Sequence, residues 1–385
     1  MTKRTIGRID DVRSFLEEIF VGDMHAKRIE SLANGTLGIL NSASLAVHAI
    51  GLGLAHARGL VTKYAVKQVD RLVGNAGVEV WACFAHWVPH LIAGRTAIMV
   101  ALDWTDFDAD GQAMIALNLL TSHGRATPLV WKTVKKSALK DHRNDYEDDV
   151  LHRLYEVLPA GVTVTVIADR GFGDTKLFAY LCNELGFDYL IRLKKNIVVT
   201  SAEGEQRKTA DWVASNGRAK TLRNAQITAE KFAVPTVVCV KAKAMKEAWC
   251  LAASSPQAQA AELIKYYGKR WGIETYFRDT KDPRFGMGMT STRTQSTARR
   301  DRLFLLSAFA IVLLTLLGAA GERVGYDRLL KTNTVKHRTQ SLFRQGWMIY
   351  ELLPTMPQKW IALIMPTYAA MLREQRAWSA MLGFV

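Results

Sequence analysis

"TAIMVALDWTDF", residues 96–107, is where the chain changes character. Before residue 95, apolar residues recur at helical spacings. From Thr96 they bunch into a β-rich apolar run that ends in acid at Asp103. "QAMIALNLLTS" (112–122) and "ATPLVWKTV" (126–134) follow, joined by a short turn through His123 and Gly124. Together the three runs predict an antiparallel meander. "NDYEDDVLHRLYEVL" (144–158) reads as an amphipathic helix stopped by Pro159 and Gly161. "VTVTVIADRGF" (162–172) is a second buried strand ending in acid, here Asp169. "DTKLFAYLCNELG" (174–186) is a helix with an Asp cap and a Gly stop, and "FDYLIRLKKN" (187–196) is a further strand.

A three-strand meander followed by alternating helix and strand is the ribonuclease-H-like order, an α/β fold on a mixed sheet. In that order the first and fourth strands are neighbours at the sheet centre. Asp103 and Asp169 would then meet at the edge where ligands tend to bind. Residues 193–256 are polar, alternating and broken by turns, with β-rich runs at "NIVVTS", "ITAEKFAVPTVVCVKAK" and "AWCLAAS". They read as a β insertion. The expected organisation is a helical, DNA-binding region at 1–94, a core at 95–192 and 257–321, the insertion at 193–256, and a helical region at 322–385. Residues 257–321 read as helical throughout. In the first region Gly35 and Gly38 should interrupt a helix, and Lys63, Lys67 and Arg71 should form one basic stripe.

The 51 Lys and Arg against 36 Asp and Glu leave a net charge of +15. That excess points to a polyanionic partner, nucleic acid first. "YYGKRWGIETYFRDTK" (266–281) supplies a place for it. On a helix at 100° per residue, Tyr267, Arg270, Glu274 and Lys281 share a stripe about 60° wide, with Ile273 and Phe277 on the flank entering a core. One acid hedged by bases suits a carboxylate that holds a metal while its neighbours hold phosphate. Three carboxylates brought together from 103, 169 and 274 could seat two hard divalent ions, which prefer oxygen ligands. Paired ions about 3.5–4 Å apart activate an attacking oxygen and steady the leaving one. The metals would also relieve the repulsion between clustered acids.

The sequence resembles bacterial insertion-sequence transposases of the DDE type, in particular the IS-four family. The signature Tyr-x2-Arg-x3-Glu-x6-Lys fits Tyr267, Arg270, Glu274 and Lys281 at every spacing. "LDWTDF" is similar to the first-aspartate block and "IADRGFGD" to the second. The resemblance spans roughly residues 95–320, β insertion included. It implies that Asp103, Asp169 and Glu274 hold two Mg2+, with Mn2+ as a substitute. It implies hydrolysis at the element's ends, then strand transfer into target DNA. Tyr267, Arg270 and Lys281 would grip phosphates near the cut. Trp249 would stack on a flipped-out base, and Arg192 would contact the backbone. Partners implied are double-stranded DNA (terminal inverted repeats and target) and a second copy of the chain, in the bacterial cytoplasm at the nucleoid. The alternative is a transposase-derived protein that grips DNA but no longer cuts.

Other features carry less. His86 and His90 have helical zinc spacing, with Pro89 between them and no further ligand evident. "GFGD" (171–174) lacks a phosphate-loop pattern and shapes a turn. Cys83, Cys182, Cys239 and Cys250 read as buried free thiols of a reducing compartment. "MTKRTIGRIDDVRSFL" has no apolar core of an export signal. "LFLLSAFAIVLLTLLGAAG" (303–321) is long and uncharged enough to span a membrane, yet fits a helix buried on all sides equally well; the buried helix is the expectation.

Overall fold

The computed structural model describes residues 9–374. The reading of the chain's first eight residues, and of 375–385 as part of the C-terminal helices, lies outside the described residues. Five helices come first: α1 (Ile9–Ile19), α2 (Ala26–Ser42), α3 (Val47–Arg58), α4 (Thr62–Gly74) and α5 (Val80–Ile92). Helix α2 runs unbroken through Gly35 and Gly38, against expectation. Both glycines serve close packing instead. A Cβ at Gly38 would lie 2.5 Å from the Ile50 carbonyl oxygen of α3, and one at Gly35 would lie 2.7 Å from Leu72 of α4. The chain turns at Ala43, in the left-handed region with φ 53°.

The meander forms as expected: β1 (Ala97–Phe107), β2 (Gln112–Leu119) and β3 (Thr127–Lys135), antiparallel throughout. Then come α6 (Arg143–Val157), β4 (Thr163–Ala168), the short α7 (Thr175–Ala179), which widens into a π turn over Tyr180–Glu184, and β5 (Asp188–Arg192). β4 pairs parallel to both β1 and β5. The strand order β3-β2-β1-β4-β5 is that of a ribonuclease-H-like core.

The next strands are β6 (Val198–Thr200), β7 (Gln206–Lys208), β8 (Lys220–Ile227), β9 (Phe232–Val240) and β10 (Trp249–Ala253). They do not make a sheet of their own. β10 pairs antiparallel with β5, so the core sheet continues through β10, β9, β8, β6 and β7 to ten strands. This continuity joins the insertion rigidly to the strand that follows Asp169. Cys239 and Cys250 face each other across β9 and β10 and are buried free thiols, as is Cys83. Cys182 is exposed, contrary to expectation, because its position on the π turn faces outward.

Helices α8 (Ala260–Gly268) and α9 (Trp271–Lys281) follow. The expected helix over 257–321 is interrupted: residues 282–296 form a folded loop before α10 (Thr297–Arg323). Asp-Pro at 282–283 and the positive φ of Gly288 (69°) are what stop it. Every residue of 303–321 is buried, packed among the N-terminal helices, β3, α11 (Leu342–Leu352) and α12 (Gln358–Arg373). The one helix among the described residues long and apolar enough to cross a membrane is therefore a core helix. α10 and α11 touch backbone to backbone: a Cβ at Gly346 would lie 1.7 Å from the Leu314 oxygen, and one at Gly318 would lie 1.9 Å from the Leu342 oxygen.

Candidate carboxylate cleft at the strand ends

Leu102 and Ala168 are the last paired residues of the parallel strands β1 and β4. Asp103 and Asp169 are the next residue on each. Two carboxylates thus leave adjacent strands at the same height, at the carboxyl edge of the sheet. Asp103 remains anchored on its other side, because β1 continues against β2 with Asp103 opposite Ala116. β4 ends instead. Asp169 caps the 3-10 turn Arg170–Phe172, its Oδ1 accepting the Gly171 N–H at 2.7 Å. A Cβ on residue 171 would stand 2.9 Å from that oxygen, so glycine lets the turn close under the carboxylate.

Glu274 arrives from the first turn of α9, where the helix dipole favours an anion. The joint between α8 and α9 is tighter than an α-helix: the amides of Lys269, Arg270, Gly272 and Ile273 each bond the carbonyl three residues back. The joint buries Arg270 and turns its guanidinium between the acids. Nη1 donates to Asp103 Oδ2 at 3.1 Å and Nη2 to Glu274 Oε1 at 2.6 Å. Asp103 also accepts its neighbour Trp104 N–H at 2.8 Å. Even so, burial pushes the Asp103 carboxyl up to about 6; Arg270 opposes that rise, and the charges of Asp169 and Glu274 add to it. Asp103 is thus within electrostatic reach of both other acids.

The rest of the predicted group surrounds them. Lys281 ends α9 and donates to Thr105 Oγ1 at 2.9 Å and the Asp106 carbonyl at 2.7 Å, two and three residues along β1 from Asp103. Tyr267 is buried, and Trp249 is half-buried against it, edge to face, with ring centroids 4.9 Å apart. Arg192 ends β5 and donates to Glu247 Oε2 at 2.8 Å and the Ala248 carbonyl at 2.9 Å. Arg170, next to Asp169, reaches the same Glu247 oxygen at 3.2 Å. One glutamate of the β9–β10 loop thus ties the insertion to the Asp169 turn, two residues before Trp249.

Sequence reasoning did not identify Glu247, whose pairing with arginines 55 and 77 residues away has no local signal. Nor did it identify Arg300, buried over the Phe107 ring 4.0 Å from its centroid and paired with Asp110, which clamps the β1–β2 turn to α10. Lys63, Lys67 and Arg71 stand exposed along α4. His86 pairs with Asp23 at 2.7 Å, and His90 is buried edge-on to Phe15.

Among the described residues no group of three or more His, Cys, Asp or Glu side chains is placed to hold a metal ion together. Between Asp103 and Glu274 the cation is Arg270. The donor set is nonetheless all carboxylate, which suits a hard divalent ion. Burial first, and the charges of Asp169 and Glu274 after it, raise the Asp103 carboxyl, and a cation beside these oxygens would oppose that rise. The residues fit such an ion once the Arg270 side chain releases them.

Residues 99–313 match a family described as the transposase DDE domain. No curated protein matches the chain.

Proposed function

This chain belongs to the DDE transposase family, and on that premise we propose that it cuts the ends of an insertion sequence and joins them to target DNA at Asp103, Asp169 and Glu274. The observation that carries the proposal is the register: two aspartates leave adjacent parallel strands at one height, and Arg270 links the first of them to Glu274. Transposases of this family are generally dependent on divalent metal. When bound, two Mg2+ or Mn2+ ions would lower the barrier by polarising the attacking and leaving oxygens of the phosphodiester.

This chain's own side chains then have the following work. Asp103, Asp169 and Glu274 would hold the ions. Arg270 balances Asp103 and Glu274 before metal enters, and afterwards its planar fork is free to take a phosphate. Lys281 holds a point charge at the β1 end of the cleft, towards a neighbouring phosphate. Tyr267 backs Trp249, which offers an aromatic face to an unstacked base. Arg192 is positioned by Glu247 and exchanges it for the DNA backbone. Exposed cations of α4 extend the positive surface over the N-terminal helices. We place the chain within the IS-four group of the family, acting in the cytoplasm on double-stranded inverted repeats and target DNA as a homodimer.

Glu274→Gln tests the assignment. It keeps the shape and removes a ligand charge. Cleavage of end-bearing duplex in Mg2+ should fall by about a hundredfold or more, while binding of the same duplex, read by mobility shift, stays near the wild-type level. Loss of binding to the same extent would make Glu274 structural. Wild-type protein that binds ends but never cuts them would favour the binding-only alternative.

A further inference from the structure

The loop after α9 holds an aromatic ring in solvent on a backbone tied down by several hydrogen bonds. Residues 282–288 read "DPRFGMG". Asp282 Oδ1 accepts the N–H groups of Arg284 (2.7 Å) and Phe285 (2.9 Å), and its carbonyl accepts those of Gly286 and Gly288, both at 3.1 Å. Met287 N–H returns to the Asp279 carbonyl at 2.7 Å. A Cβ at Gly286 would stand 2.3 Å from that same oxygen, so the loop lies directly on the end of α9. Met287 and Met289 are buried beneath it. Phe285, fixed between these anchors, is 70% exposed.

The charge around this ring is positive. Arg278 and Arg284 lie within electrostatic reach of Asp282, and Arg278 and Arg344 within reach of Asp279, which is already paired with Arg125. Arg278 and Arg284 are exposed. A fixed, exposed ring between arginines has the two elements of a nucleic-acid platform: a π face for a base and cations for its flanking phosphates. Its position suits the cleft. Lys281, four residues earlier, touches β1 beside Asp103. The Trp249–Tyr267 pair lies at the opposite end of α9, whose 11 residues span about 16 Å, roughly five nucleotide steps at 3.4 Å per strand.

We infer that Phe285 stacks on a base of the DNA lying across the carboxylate cleft, with Arg278 and Arg284 on the adjoining phosphates. This contact rests on the transposase reading above and adds a second aromatic anchor to it. A second copy of the chain is the competing occupant of an exposed phenylalanine, and the test separates the two.

The full chain is titrated with a fluorescent oligothymidylate of about 20 nucleotides at several salt concentrations. Phe285→Ala should weaken binding about tenfold with the salt slope unchanged, and Phe285→Trp should restore it. Phe285→Leu, apolar but without a π face, should not. Arg284→Ala should instead lower the salt slope by about one. The inference is overturned if Phe285→Ala binds within about twofold of wild type, if Leu restores binding as well as Trp, or if the loss accompanies a dimer-to-monomer change in sedimentation. Wild-type protein that binds no DNA removes the transposase reading as well; wild-type binding untouched by Phe285→Ala removes this inference alone.

Discussion

The α10–α11 crossing and the carboxylate cleft belong to the same domain and are built on opposite terms. At the crossing, two glycines bring helix backbones together and every neighbour is buried. Dispersion and apolar burial dominate the contact, and its one polar link among the described residues is Gln345 donating to Glu322 at 3.4 Å. In the cleft, three acids and an arginine are held in partial burial, and the Asp103 carboxyl is lifted to about 6 as a consequence. The crossing is stable as it stands. The cleft is not at its own optimum, because burial disfavours the ionised Asp103 and two further acids lie within reach of it. Substitutions should therefore act in opposite directions in the two regions: filling space should harm the first, and removing charge should relieve the second.

The largest effect is expected at the crossing. Gly346→Leu places side-chain atoms where the Leu314 carbonyl already stands, so the helices must part. Overpacking of this kind commonly destabilises by about 1–3 kcal/mol, and backbone displacement along a core helix adds to that. The variant should unfold at much lower urea or accumulate only as insoluble protein. A urea midpoint equal to wild type would show that the crossing is loosely packed, and the comparison would lose its first half.

Asp103→Asn sharpens the second half. It should abolish metal-dependent cleavage while raising stability in metal-free buffer. The sign follows from the raised carboxyl. Between the unfolded value of 3.8 and the folded value of about 6, the native state binds the extra proton, so stability falls as pH rises through that window. At pH 7.5 wild type carries the full penalty and Asn carries none. A gain on the order of 1–2 kcal/mol is expected at that pH, shrinking to nothing below pH 4. Added Mg2+ should raise the melting temperature of wild type and not of the variant. A variant less stable than wild type at pH 7.5 would mean that the Arg270 pairing outweighs the burial of the acid.

Much of the cleft was legible in the sequence because its parts are local. An apolar run that reaches an aspartate, twice, and a helix with one acid in a basic stripe are each patterns contained in a single short segment, although the segments lie far apart in the chain. The buried α10 was legible from nineteen uncharged positions. What escaped depends on contacts between distant segments. Gly35 and Gly38 looked like helix breakers because their partners, Leu72 and Ile50, lie on other helices. The insertion looked separate because β5 and β10 are paired across some sixty residues of intervening chain. Arg270 looked like a phosphate ligand alone, since nothing in its own segment shows that Asp103 is within reach.

The smallest effect concerns an acid that belongs to neither set. Asp301 lies on α10, just before its apolar stretch, where Oδ1 accepts both the Thr133 N–H (3.1 Å) and its hydroxyl (2.6 Å) across to β3. Burial lifts its carboxyl to about 7 in spite of those two donors and of Arg300 and Arg302 on either side. It thus shares the electrostatic burden of Asp103 without a place in the cleft. Asn at this position keeps the accepting oxygen and removes the charge. Stability of wild type should fall as pH rises from about 4 to 7, and Asp301→Asn should flatten that slope. At pH 8 the variant should gain about 1 kcal/mol, less than the full linkage value because its new N–H2 needs a partner. DNA cleavage should be unchanged at any pH where both proteins are folded. Urea titrations at pH 5 and pH 8 decide the point. Parallel slopes would show that Asp301 is ionised and solvated, and that a buried acid on this core helix imposes no burden comparable to the one in the cleft.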